Sequence, residues 1–166
     1  MCGIIKEDHR HNADSSTKID VVVDANIMFS AIIAGKKKVR SKIRDVLFSD
    51  NLQLWAPYRL LAELEKNREL LKRKSGFTDV ELNAYIETLK RGVIFVPLEE
   101  YLDKLLEAKK ISPDPKDIEY FALALKLDCP IWSEEKRLKR QDKVLILNTR
   151  ELVSFLERAS KEESLE

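Results

Sequence analysis

The chain has 166 residues, which is the size of one domain with an enclosed hydrophobic core. Hydrophobic residues make up 44% and charged residues 36% of it, and a formal net charge of +1 indicates no polyanionic partner from bulk charge alone. No apolar run reaches the roughly 18 residues of a membrane span, and the N-terminal segment lacks the apolar stretch of a signal peptide. We therefore expect a cytoplasmic protein without a membrane partner. A polar, flexible tail over residues 1–18, one domain over residues 19–158 and a flexible tail over residues 159–166 are predicted.

Short β-branched runs alternate with amphipathic segments along the domain. The runs predict strands at residues 19–23, 52–56, 93–96, 130–132 and 144–147, and the segments predict helices at 25–34, 39–48, 57–74, from 78 onward, 101–110, 115–127 and 149–159. This order predicts an α/β fold, a three-layer α/β/α arrangement with a mainly parallel central sheet. Such sheets bind ligands at the carboxyl ends of their strands, so acids at those ends are the candidates for a site.

Asp24 directly follows the first predicted strand, Ile19 to Val23. Asn26 completes an Asp-x-Asn arrangement in which the amide could orient the carboxylate or a bound water. The alternative is that Asp24 serves only as the N-cap of the next helix.

Glu63 falls at the edge of the apolar face that Leu60, Leu64 and Leu71 form on the helix at 57–74. A carboxylate at such an edge is costly unless it is paired. The alternative is a surface glutamate whose head group reaches solvent.

Asp114 and Asp117 precede a helix that is apolar nearly all round. Asp114 as N-cap and Pro115 at the first helical position are ordinary helix-start chemistry, which suffices to explain Asp114. Asp117 lies at the N-terminus of a central helix, and the helix dipole is expected to keep it ionised and ready for a cation.

Ser133, Glu134 and Glu135 follow the predicted strand at residues 130–132 and occupy another carboxyl end. The serine could contact a neighbouring carboxylate, and either glutamate could join a cluster. An N-cap serine followed by first-turn acids is at least as good an explanation for either glutamate alone.

The chemistry of the candidate site is limited by what the core lacks. Both histidines, His9 and His11, lie in the N-terminal tail, and Cys2 and Cys129 form no metal-binding pair. This excludes Ser-His-Asp hydrolases and His-His ribonucleases. Converging carboxylates repel unless a cation joins them, and oxygen-only ligands favour Mg²⁺ or Mn²⁺.

Four segments together resemble the PIN-domain family. VVVDANI at residues 21–27 resembles the opening of PIN domains, and LLAEL at 60–64 looks like the helix that carries their second acid. DPKD at 114–117, leading into FALA at 121–124, is similar to their third-acid segment. PIWSEE at 130–135 resembles their strand followed by Ser or Thr, one residue and a fourth acid, which here is Glu135 rather than the usual Asp. The resemblance runs from about residue 19 to residue 155.

This resemblance implies a parallel sheet with helices on both sides and a metal-dependent endoribonuclease that uses Mg²⁺ or Mn²⁺. It assigns catalysis to Asp24, Glu63, Asp117 and Glu135, metal binding to Asp24, Asp117 and Glu135, and support of these side chains to Asn26, Asp114, Ser133 and Glu134. RNA, an antitoxin protein and a second copy of the chain are the partners it suggests, since many relatives are toxins of toxin–antitoxin pairs. The alternative is a catalytically weak PIN domain that serves as an RNA-binding or ribosome-biogenesis assembly module.

A basic run follows the first predicted helix and could bind the RNA backbone through Lys36, Lys37, Lys38 and Arg40. The alternative is a solvated loop and helix face far from the acids. In that case the run from Lys136 to Arg140 is the next candidate.

Overall fold

A computed structural model describes residues 18–36 and 41–165 of the chain. Among the residues considered above, Cys2, His9, His11, Lys37, Lys38 and Arg40 lie outside these ranges. The strands are β1 (Ile19–Val23), β2 (Leu52–Pro57), β3 (Val93–Val96), β4 (Ile131–Trp132) and β5 (Ile146–Leu147). The helices are α1 (Ala25–Ile33), α2 (Lys42–Leu47), α3 (Arg59–Lys66), α4 (Arg68–Ser75), α5 (Asp79–Arg91), α6 (Leu105–Ile111), α7 (Ile118–Leu127) and α8 (Thr149–Ser164).

The five strands form one parallel sheet in the order β3-β2-β1-β4-β5, which confirms the predicted fold class. β1 lies at the centre, and Val21, Val22 and Val23 have no exposed surface. A strand covered on both faces needs apolar side chains in both directions, which is why this run does not alternate with polar residues.

The helices cover both faces of the sheet. The chain moves from β1 outward to β2 and β3, and α1 contacts α2, α3, α4 and α5 along this path. It then returns past β1 to β4 and β5 through α6 and α7, which pack on each other. Because parallel crossovers are right-handed, reversing direction puts the second group of helices on the opposite face. The strand order therefore reverses at β1 and β4, where a ligand site is expected.

The prediction of one helix over residues 57–74 is wrong in one respect, because the segment forms two helices that meet at Asn67. The Asn67 side chain donates a hydrogen bond of 2.8 Å to the backbone carbonyl of Glu63. A side-chain amide that takes a helix carbonyl competes with the regular backbone pattern, which ends α3 there. α4 ends at Gly76, whose φ of 75° is left-handed.

The last helix is longer than predicted. α8 continues through Ser164, so residues 159–164, which the sequence assigned to a tail, are helical. Asn148 caps its first turn in a reciprocal arrangement with Glu151, and this capping fixes where the helix begins. Within residues 18–36 and 41–165, no helix is both long and apolar enough to cross a membrane.

Candidate active site at the carboxyl edge of the sheet

Asp24 lies where the strand order reverses, between the carboxyl ends of β1 and β4. Its backbone N–H donates to the carbonyl of Trp132 at 3.1 Å, and its side chain is buried with 4% exposure. The Ser133 hydroxyl donates to Asp24 Oδ2 at 2.6 Å, and the Asn26 backbone N–H lies 3.4 Å from Oδ1. Asp24 therefore caps α1 and is also held from β4, so the N-cap explanation is true without being the whole account.

Asp117 comes to the same edge on the N-terminal end of α7. Six residues of this helix are buried, which confirms that it is a central helix: Tyr120, Phe121, Ala122, Leu123, Ala124 and Leu127. Pro115–Asp117 forms a 3₁₀ turn that Asp114 caps through a hydrogen bond from the Lys116 N–H at 2.9 Å. The cap fixes the start of the helix and leaves Asp117 turned inward, buried with 9% exposure.

Both aspartates are costly to ionise, because they are buried and other carboxylates lie near them. Burial raises the pKa of Asp24 above its ordinary value, and hydrogen bonds from Ser133 and Asn26 oppose this only in part. Burial also raises the pKa of Asp117 to about 7, and the charges of Asp24, Glu135 and Asp114 add to the effect. The sequence-based expectation that the helix dipole keeps Asp117 ionised is therefore wrong. A dipole contributes about 1 kcal/mol at such a position, whereas a pKa raised from 3.8 to about 7 corresponds to roughly 4 kcal/mol.

Glu63 lies on α3 and acts electrostatically on Asp24, whose pKa it helps to raise. Asp24, Asp117, Glu63 and Glu135 are called the acid cluster below. The Oε1 atom of Glu63 accepts a hydrogen bond from the Tyr120 hydroxyl at 2.9 Å and lies 3.3 Å from Arg59 Nε. Glu63 is thus a carboxylate paired with α7, although its side chain remains 30% exposed, as the surface-glutamate alternative requires in part.

Glu135 and Asp114 form the outer rim of the cluster, and Arg137 bridges them. The Arg137 guanidinium contacts Asp114 Oδ2 at 3.0 Å and also pairs with Glu135. Ser133 Oγ accepts the Glu135 backbone N–H at 3.1 Å, so one serine connects Asp24 to the segment that carries Glu135. The guanidinium offsets negative charge here and lowers the pKa of Asp117, although burial and repulsion outweigh it.

The donor set suits a hard divalent cation. Asp24, Asp117, Glu63 and Glu135 supply oxygen only, and these are the ligands that Mg²⁺ and Mn²⁺ prefer. Burial and neighbouring negative charges raise the pKa of Asp24 and of Asp117, and a bound cation would relieve this cost. In the part of the chain that the structure describes, however, no three such side chains already converge as a complete set of metal ligands. The four side chains thus have the oxygen donors that a divalent cation needs, but the described structure does not yet bring them together as ligands.

The profile of the PIN-domain family matches residues 22–153, from β1 into α8. The match covers well over half of the chain and spans all four acids of the cluster. The chain belongs to the PIN-domain family. No curated protein matches it in sequence.

Two solved structures resemble this PIN domain in fold. VapBC2 from Rickettsia felis, bound to a DNA fragment from its promoter, matches with a TM-score of 0.56 and 16% identity over 78% of this chain and 98% of that one. PAE2754 from Pyrobaculum aerophilum matches with a TM-score of 0.51 and 16% identity over 87% of this chain and 94% of that one. Identities this low support the fold only.

The PIN domain does not bring every predicted residue to its acids. Asn26 contacts Asp24 through its backbone N–H, and its side chain is exposed. Glu134 turns away to α8, where Oε1 accepts the Thr149 backbone N–H at 2.8 Å and also the Thr149 hydroxyl. Lys36 lies beyond the C-terminal end of α1 and pairs with Glu81 at 2.9 Å. Because α1 is nine residues long, Lys36 is separated from Asp24 by about 14 Å of helix.

Sequence reasoning missed Arg59 and Tyr120, the two partners of Glu63. Arg59 stands four residues before Glu63 on one helix, and this spacing is a usable sequence signal for an ion pair. Tyr120 lies 57 residues away in an apolar helix, where nothing local distinguishes it from another core aromatic residue.

We expect Glu134→Gln and Glu135→Gln to separate stability from activity. Glu134 holds the first residue of α8, so Glu134→Gln should lower the free energy of unfolding by about 1 kcal/mol and leave RNA cleavage within about twofold. Glu135 belongs to the acid cluster, so Glu135→Gln should lower cleavage about tenfold without loss of stability. Urea unfolding and cleavage rates measured on both variants check this. Equal losses of activity would contradict the assignment of Glu135 to the fourth acid position.

Proposed function

We propose that this PIN domain is a metal-dependent endoribonuclease that hydrolyses RNA phosphodiester bonds. The observation that carries the proposal is the pair Asp24 and Asp117, which are both buried near the point where the strand order reverses and both have a raised pKa. Glu135 raises the pKa of both, and a folded protein that keeps buried carboxylates in this unfavourable state has a place for a cation.

Asp24 and Asp117 are the proposed metal ligands, together with Glu135, and Glu63 lies on the side of α3. A bound Mg²⁺ or Mn²⁺ would activate a water for in-line attack and stabilise charge on the phosphate. Ser133 orients Asp24 through the hydrogen bond to Oδ2, so the other oxygen is the one available for a ligand. Asp114 fixes the turn that carries Asp117.

The RNA backbone is proposed to contact the 3₁₀ turn Lys136–Arg140, which begins directly after Glu135. Four of its five residues are basic, and Lys136, Arg137, Lys139 and Arg140 are exposed. Phosphate contacts from such a segment position RNA without reading its bases. The proposal for Lys36 is less favourable, because Lys36 lies beyond the C-terminal end of α1, whereas Asp24 lies at its N-terminal end.

An antitoxin protein is proposed as a partner. The similar structure from Rickettsia felis is the toxin–antitoxin pair VapBC2, and its fold likeness covers most of this chain. A toxin nuclease would need such a partner to keep it inactive in its own cell. The neighbouring gene is the first place to look for it.

Cleavage is expected only with Mg²⁺ or Mn²⁺. Single-stranded or loop RNA incubated with the purified protein should be cut in either metal and left intact in EDTA, since the described core offers carboxylates in place of a catalytic histidine. Added Ca²⁺ serves as a control, because its flexible coordination suits hydrolysis poorly. Robust cleavage in EDTA would overturn the proposal. Metal-independent RNA binding without any cleavage would favour the assembly-module alternative.

A further inference from the structure

A chain of four polar contacts runs beside the acid cluster and joins α3, α7 and the segment before α6. The Tyr101 hydroxyl donates to Glu119 Oε1 at 3.0 Å, and Glu119 Oε2 pairs with Arg59 at 3.2 Å. Arg59 Nε lies 3.3 Å from Glu63 Oε1, which also accepts the Tyr120 hydroxyl at 2.9 Å. This series of contacts thus includes Glu63, the one acid of the cluster that α3 carries.

Both partners of Glu63 act on the same oxygen. Tyr120 and Arg59 contact Oε1, and no hydrogen bond within residues 18–36 and 41–165 is donated to Oε2. A carboxylate held by one oxygen keeps a fixed orientation while the second oxygen remains available. Ligating carboxylates in metal sites are commonly oriented by hydrogen bonds of this kind.

We propose that Tyr120 and Arg59 are positioning residues that fix the carboxylate of Glu63 through Oε1 and leave Oε2 free to help hold the divalent cation of the acid cluster. The inference rests on the proposed function for its cation and deepens it, since it assigns a role to two residues outside the acids. Neither residue touches the substrate in this proposal. Each acts through Glu63.

Arg59 and Tyr120 restrain the Glu63 carboxylate in different ways. Arg59 Nε is buried and its hydrogen does not point along a good hydrogen-bond direction, so Arg59 restrains Glu63 mainly by charge. The Tyr120 hydroxyl has directional geometry, and its residue is almost fully buried at 3% exposure. A tyrosine hydroxyl carries its proton at neutral pH, so Tyr120 acts as the donor to the Glu63 carboxylate.

A purely structural role for these residues predicts something different. If Tyr120 only filled the core, removing its hydroxyl would change stability and leave metal binding alone. If Arg59 acted only as a nearby positive charge, removing it would tighten cation binding, because repulsion would fall. Positioning predicts weaker cation binding in both cases, so the sign of the change separates the explanations.

The test compares Tyr120→Phe, Arg59→Gln and the matched control Tyr85→Phe with the wild type. Tyr85 also donates its hydroxyl within the fold, to the Ala31 carbonyl at 3.3 Å, but it lies on α5 outside the acid cluster. Arg59 is 38% exposed at its side chain, so Arg59→Gln should fold even if Tyr120→Phe does not. Free Mn²⁺ measured by electron paramagnetic resonance gives the metal dissociation constant, and steady-state cleavage of single-stranded RNA gives kcat and KM.

We expect Tyr120→Phe and Arg59→Gln to raise the Mn²⁺ dissociation constant and lower kcat, each about tenfold, with KM for RNA within about twofold. Tyr85→Phe should match the wild type in all three quantities. Wild-type Mn²⁺ affinity in both variants, tighter Mn²⁺ binding by Arg59→Gln, or no Mn²⁺ binding by the wild type would overturn the positioning role. A wild-type protein that binds Mn²⁺ through this network but cuts no RNA would overturn the nuclease proposal and leave the positioning role in place.

Discussion

Asp24→Asn and Asp117→Asn should each lower kcat/KM for metal-dependent RNA cleavage by at least about 100-fold while the protein stays folded. Both side chains are buried at the reversal point of the sheet, and each is a proposed metal ligand. In both variants the amide preserves the size of the side chain but removes the charge that holds a cation. In Asp24→Asn the amide oxygen can still accept the Ser133 hydrogen bond.

Asp142→Asn is the matched control for these variants. Asp142 is exposed and precedes β5, so it lies toward the amino edge of the sheet, away from the acids. Cleavage by this variant should equal that of the wild type. Circular dichroism confirms folding in all three variants. More than about a tenth of wild-type activity in Asp24→Asn or Asp117→Asn would contradict the assignment of that residue.

In EDTA, the metal-free protein should lose stability as the pH rises, and Asp117 should account for much of the loss. Its pKa is about 7 in the folded protein, against an ordinary value of 3.8. The stability that a raised pKa contributes is fully present below the ordinary value and is lost as the pH rises through the folded value. Between pH 5 and pH 8 the expected loss is about 3 kcal/mol.

Urea unfolding in EDTA at pH 5 and pH 8 measures this effect. Asp117→Asn should be about 4 kcal/mol more stable than the wild type at pH 8, and the difference should shrink toward zero as the pH falls to 4. Adding Mg²⁺ at pH 8 should stabilise the wild type and not the variant, because a ligand stabilises the state that binds it. A variant less stable than the wild type at pH 8 would show that Asp117 is not a strained carboxylate.

Much of the fold could be predicted because local patterns and long-range packing agree. The Val21–Val23 run is apolar in both directions and is buried in β1 at the centre of the sheet. The capping box at Thr78 and Glu81 starts α5 as the residues indicate. The helix over 57–74 could not be divided correctly, because Asn67 ends α3 through its own side chain, and sequence spacing does not reveal which carbonyl that side chain takes.

The site was predicted less evenly than the fold. Glu63 acts electrostatically on Asp24, and Asp24 acts on Asp117, although only Asp24 directly follows a strand. Glu134 and Glu135 are adjacent in sequence and equally acidic, yet one caps α8 and the other joins the cluster. Only the path of the chain after β4 separates them.

By itself, the sequence determines the alternation of strands and helices, the acids that follow strands, and the absence of histidine from residues 12–166. These features depend on residue type and spacing along a short stretch of chain. The tertiary structure alone decides that Ser133 bonds to Asp24 across 109 residues and that Tyr120 bonds to Glu63 across 57. It also decides the pKa of Asp117, because burial and the charges of carboxylates from other parts of the sequence outweigh the local effect of the helix that Asp117 begins.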